Sequence, residues 1–131
     1  MSIGDIAKST GRSVHALRWY EREGLIPGVS RDGGKRRVYR KAHIGWLRFL
    51  GRLNRTGMTV QEMKTYAALT AKGGSTAAER KAMLVRHRER LDAEIATLGE
   101  ARQILDLKIA FYSEWARTGC RPPEPEIPPT A

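Results

Sequence analysis

Cysteine is nearly absent from this 131-residue chain, and the single one, Cys120, excludes an internal disulfide framework and any zinc site built from several thiolates. Long apolar runs are missing as well. No stretch approaches the roughly 18 residues that a membrane helix requires, and the opening MSIGDIAKSTGR lacks the apolar segment of a signal peptide. A cytoplasmic protein with a reduced thiol is expected. Acidic residues are scarce too, since 14 Asp and Glu stand against 24 Lys and Arg, a formal charge of +10. Such an excess points to a polyanionic partner.

The excess is not evenly spread. Residues 1–56 hold 13 Lys and Arg against 4 Asp and Glu, whereas residues 57–131 are nearly balanced, with 11 against 10. A localised binding face follows, rather than diffuse adhesion. Ser2 with Asp5 is a helix-start signal, and a helix over Ile3 to Ser9 is expected, broken by Gly11. Ser13 caps a second helix in which Val14 and Leu17 face inward, leaving His15, Arg18, Trp19, Tyr20 and Arg22 as candidate contacts. Two short helices joined by a glycine turn, the second basic and aromatic, form a helix-turn-helix pattern.

After the stop at Gly24, the segment from Arg31 to Arg40 carries a Gly-Gly turn followed by Arg36, Arg37 and Tyr39. It reads as a β-hairpin wing whose cations reach phosphates, or else as a solvated basic loop. Lys41 to Arg55 gives a third helix with Ile44, Leu47, Leu50 and Leu53 inward, and Thr59 with Glu62 caps a fourth over Val60 to about Ala71. Lys72-Gly73-Gly74 is a hinge. Thr76 with Glu79 then reads as the cap of a helix that does not end before about Trp115.

Roughly 40 residues at about 1.5 Å each make a rod near 60 Å long, more than a small domain covers. Its apolar stripe repeats every seven residues through Leu84, Leu91, Leu98, Leu105 and Tyr112, with Ile95 and Ile109 at the partner positions. That is one coiled-coil seam. A second copy of the chain covers it most simply, although Arg88 and Arg102 interrupt it and part of it can pack on the chain's own N-terminal domain. The division expected is a winged helix-turn-helix domain at 1–72, a dimerisation helix at 75–116 and a disordered Pro-rich tail at 117–131.

With these elements placed, the chain resembles the MerR family of bacterial transcription regulators. The resemblance rests on Leu17-Arg18-Trp19-Tyr20-Glu21, Gly24-Leu25-Ile26, Arg31, Arg37-Val38-Tyr39, Thr56-Gly57-Met58-Thr59 and the long helix. It implies a mainly α fold: a winged helix-turn-helix domain followed by an antiparallel coiled coil that joins a homodimer. It also implies double-stranded promoter DNA with an over-long spacer, bent and untwisted so that RNA polymerase engages it, a form of shape readout. Carried over by position, Arg18 and Tyr20 belong to the major-groove helix, Arg31, Arg37 and Tyr39 to the wing, and Arg55 to a second wing. The family commonly has tyrosine at Trp19 and an aromatic at Arg36. Lys108-Ile109-Ala110-Phe111-Tyr112 most resembles its aldehyde- and electrophile-responsive branch, whose reactive cysteine is replaced here by Arg52.

Metal-sensing members hold several thiolates, so Cys120 alone supports no metal site, and no cofactor is expected. If a small-molecule effector binds, the aromatics Tyr66, Phe111, Tyr112 and Trp115 are the candidates, and equally candidates for packing. The competing function is an architectural or recombination-accessory DNA binder. An enzyme has little behind it, because His15, His43 and His87 are far apart, without paired carboxylates, and read as surface or DNA-facing residues.

Overall fold

The structure, a computed structural model, describes residues 1–31, 33, 34 and 37–129, and for Ser30, Arg31 and Arg37 the backbone alone. It is mainly helical. Helix α1 spans Ile3–Thr10, α2 Val14–Arg22, α3 Lys41–Arg55, α4 Val60–Ala71 and α5 Ala77–Thr118, with strands β1 at Ser30–Arg31 and β2 at Arg37–Val38. The chain divides into two compact units, Met1–Arg88 and Glu89–Ala131.

In the first unit, side-chain caps set the helix starts. Ser2 Oγ accepts from the Asp5 N–H at 3.2 Å, while the Asp5 carboxylate accepts from the Ser2 N–H at 3.0 Å. Thr59 and Glu62 repeat that reciprocal arrangement at α4, satisfying backbone donors that a helix start leaves open. At the end of α2, Gly24 adopts φ 73° and the Leu25 N–H reaches back to the Tyr20 carbonyl at 2.9 Å. A left-handed residue is needed for that closure, and glycine supplies it without a Cβ clash.

The wing is short: β1 and β2 are antiparallel, with Ser30 opposite Val38 and Arg31 opposite Arg37. Its exit is tied down by the chain start, since Tyr39 N–H donates to the Met1 carbonyl and the Met1 ammonium to the Tyr39 carbonyl, both at 3.0 Å. Beneath lies one core of Ile6, Leu17, Leu25, Leu47, Leu50 and Met63 with their neighbours. Each such leucine or isoleucine contributes on the order of 1.5–3 kcal/mol by leaving water.

Two sequence expectations are corrected here. Thr76 does not cap α5: it sits buried in a 3-10 turn, and its hydroxyl lies 2.6 Å from the Leu69 carbonyl and 2.9 Å from that of Gly73, finishing α4 instead. His43 and His87 are not surface residues. His43 is buried, with Nδ1 accepting from the Arg40 N–H at 2.8 Å, so Nε2 carries the proton and donates to the Pro27 carbonyl at 2.9 Å. His87, also buried, meets the Thr56 hydroxyl at 2.7 Å. That contact and Leu84, which packs on the core, explain why the first compact unit runs on to Arg88 rather than stopping near the hinge.

The second unit is the remainder of α5 and the segment after it. Helix α5 stops at Gly119, whose φ of 74° lets its N–H bond the Trp115 carbonyl at 2.8 Å. Among its described residues the following Pro-rich stretch has no helix or strand, yet Glu124 pairs with Lys108 and with Arg121, each at 2.9 Å, and the Arg121 guanidinium lies 5.4 Å from the centre of the Trp115 ring. Among the described residues, no helix is long and apolar enough to cross a membrane.

Candidate nucleic-acid interface

Helix α2 begins where Ser13 Oγ accepts from the Ala16 N–H at 3.0 Å. From that start, its period decides what faces out. Leu17 and Tyr20 fall on the buried side, and His15, Arg18 and Arg22 share the exposed side. Trp19 is intermediate: it packs on the core edge-on to Tyr20, at 5.3 Å between ring centres, with part of its ring at the surface.

The acid in the last turn of this helix and the one that caps its end are held by other elements. Glu21 accepts from the Tyr39 hydroxyl at 3.1 Å, and Glu23 pairs with Lys64 of α4 at 2.6 Å. The outward face is therefore cationic along its length. A helix of this kind can lie in the major groove, where arginine donates two hydrogen bonds to guanine and histidine reaches base edges or phosphates.

Tyr20 and Tyr39, expected among the contacting side chains, are buried, at 5% and 1% exposure. Tyr20 accepts from Arg12 Nη1 at 2.8 Å, and Tyr39 braces Glu21. Both support the surface from below because their rings complete the core between α2 and the wing. Arg31 and Arg37 lie on the paired strands, their side chains outside the described residues, as is Arg36 altogether. Arg55 is exposed in the last turn of α3, beside the Thr56-Gly57 turn into α4.

Arg12 was not singled out by its spacing, yet it organises the turn before α2. Its guanidinium lies 4.9 Å from the Tyr20 ring centre and donates to the Leu47 carbonyl at 3.5 Å. The sequence signal for it is Gly51, in the middle of α3, where a Cβ would sit 2.1 Å from Arg12 Nη2. An interior helix glycine costs about 1 kcal/mol relative to alanine, and close approach by another group is one reason to keep it.

The candidate effector aromatics fall into two groups. Tyr66 belongs to the first unit, stacked on Trp46 at 5.5 Å and 15°. Beside it lies a groove of about 530 Å³ lined by Arg80, Lys81, Leu84 and Arg88 among others. Phe111, Tyr112 and Trp115 form their own cluster in the second unit, with ring centres 5.1–6.2 Å apart. Among the described residues, no group of three or more His, Cys, Asp or Glu side chains could hold a metal ion, and Cys120 is exposed and free.

Of the residues expected to form the dimer seam, Leu84 and Leu91 are half-buried, Leu84 against the core. Ile95, Leu98, Leu105, Ile109 and Tyr112 are exposed, Leu98 retaining 69% of its surface.

Comparison with known proteins places this geometry. Residues 1–70 match the family model described as MerR HTH family regulatory protein, and residues 44–107 the one described as MerR, DNA binding. An uncharacterized HTH-type transcriptional regulator of Haemophilus influenzae is 33% identical over 82% of this chain and 80% of its own length. Among solved structures, HiNmlR, a MerR family regulator lacking the sensor domain and bound to promoter DNA, is 31% identical with a TM-score of 0.77, covering 90% of this chain and 94% of that one. A putative MerR family transcriptional regulator of Listeria monocytogenes is 30% identical with a TM-score of 0.81, over 86% of each chain. The chain belongs to the MerR family and is a DNA-binding transcriptional regulator.

Proposed function

We propose that the protein works as a cytoplasmic homodimer on a pseudo-palindromic promoter with an over-long spacer, bending and untwisting the DNA so that RNA polymerase engages both promoter elements. The observation that carries this reading is the exposed face of α2, where His15, Arg18 and Arg22 line up while Glu21 and Glu23 are held by Tyr39 and Lys64. The exposed stripe from Ile95 to Tyr112 supports self-association, because a lone helix leaves these side chains in water and a second copy removes them from it. A relative bound to promoter DNA supports the choice of partner. The chemistry is binding and deformation, with deformation energy offset by contacts, and it involves no catalysis. A small-molecule effector would act at the aromatics, Tyr66 beside its basic groove or the Phe111, Tyr112 and Trp115 cluster.

A footprint on the promoter region beside its own coding sequence tests this. Two symmetric protected half-sites are expected, and Arg18→Ala should weaken specific binding by about 1–3 kcal/mol. Unchanged promoter affinity in that variant would remove α2 as the reading helix. Equal bending of unrelated duplexes, with transcription in vitro unaltered, would instead make the protein an architectural binder.

A further inference from the structure

A second cationic feature is made of residues outside α2. Arg12, Arg48, Arg52 and Arg55 line a concavity of about 170 Å³ together with Thr10 and Gly51, and no acidic side chain lines it. The arginines of α3 come at spacings of four and three residues, which puts them on one side of the helix. Four like charges around one hollow repel each other unless an anion sits between them.

The hollow is built rather than accidental. Arg12 is fixed by Tyr20 and by the Leu47 carbonyl, and Arg48 donates to the Ser9 carbonyl at 2.9 Å, which joins α3 to the end of α1. Gly51 makes room for Arg12, since any larger residue would meet its guanidinium. Arg52 and Arg55 are exposed at the rim. Guanidinium groups lining one hollow suit the oxygens of a phosphate, which can accept charge-assisted hydrogen bonds from the N–H groups not already held by Tyr20, Leu47 and Ser9.

We propose that this pocket seats one phosphate of the DNA backbone. Its position favours DNA over a soluble anion. Arg12 immediately precedes Ser13, the cap of α2, and in a helix-turn-helix the first helix and the turn cross the backbone beside the groove that the second helix enters. The proposal rests on the reading of α2 as the DNA-reading helix, and adds a phosphate clamp made of residues that reading does not use: Arg12, Arg48 and Arg52. Such a contact fixes register without reading sequence.

The test is binding of the full-length chain to a promoter duplex and to an unrelated duplex over a series of salt concentrations, for the wild type, Arg52→Gln and Arg18→Ala. Arg52 is exposed at the rim, and a circular dichroism melt confirms that its variant folds. Arg52→Gln should weaken both duplexes by a similar factor and flatten the plot of log affinity against log salt by about one unit for each copy bound. An unchanged slope, with Arg18→Ala still impairing promoter binding, overturns the clamp and leaves the DNA-reading helix standing. If the wild type binds neither duplex, the DNA reading itself fails and the clamp with it. Inorganic phosphate, titrated at constant ionic strength, covers the remaining source. If it raises the melting temperature of the wild type but not of Arg52→Gln, while the DNA slope is unchanged, the pocket belongs to a soluble oxyanion and the proposal is overturned.

Discussion

In the unit Met1–Arg88, Leu17, Leu47 and Leu50 are completely buried, whereas in Glu89–Ala131 Leu98, Leu105 and Ile109 each keep more than half of their surface in water. The two units also differ in how their polar groups are held. In the first, tyrosines, histidines and Arg12 bond backbone or side chains across long sequence separations. In the second, the described polar contacts include short-range hydroxyl bonds of Thr97 and Thr118 and exposed ion pairs near the end of α5. The first unit has the interior of a self-sufficient domain, with its cations displayed outside. The second has an apolar face, Ile95 to Tyr112, that is exposed among the described residues, and its stability is tied to whatever covers that face.

Truncation on each side separates the two cases. Leu50→Ala removes a fully buried side chain from the core, and should cost the first unit about 2–5 kcal/mol, read by urea denaturation. Leu98→Ala should leave that transition nearly where it was, since Leu98 keeps 69% of its surface exposed and is not a member of that core. Equal losses from both would mean that the units do not differ in the way their exposure implies. Next in size is Leu98→Lys, which places a charge on the stripe. Sedimentation should show the wild type as a dimer and this variant dissociating at concentrations where the wild type does not, each buried leucine contributing on the order of 1.5–3 kcal/mol. A wild type that sediments as a monomer over the same range would break the comparison at its second term.

Legibility followed the range of the interaction. Ser2, Ser13 and Thr59 act over three residues, Gly24 ends α2 by its own backbone angle, and the heptad stripe repeats along one helix, so each could be read from local pattern. The residues whose burial local pattern does not show answer to distant partners. Tyr39 meets Glu21, His43 meets Pro27, His87 meets Thr56, and each is buried by packing that spacing alone does not encode. Thr76 looked like a cap because Glu79 stands three residues on, but the carbonyls ending α4 were nearer. The arginine hollow was hidden for the same reason: Arg12 and the α3 arginines are about 40 residues apart in sequence, and only the glycine between Leu50 and Arg52 hinted that something approaches there.

The smallest effect concerns two exposed carboxylates, one in each unit. Asp5 is held below its ordinary value of 3.8, first by the Ser2 backbone N–H and then by the Ser2 hydroxyl. Glu124 is held below 4.5, first by Lys108 and then by Arg121. Since both are lowered on folding, each stabilises the folded chain above its ordinary value, and that contribution disappears as pH falls through the lowered one. Their causes respond differently to salt. Ion pairs between exposed side chains are screened, whereas a backbone N–H in a fixed cap remains in contact. Carboxyl resonances followed by NMR titration at low and high salt should show the Glu124 midpoint rising toward 4.5, with that of Asp5 moving much less. If Glu124 holds its low midpoint in high salt, the end of α5 is braced by more than surface charge. The second unit would then resemble the first more closely than its exposed leucines suggest.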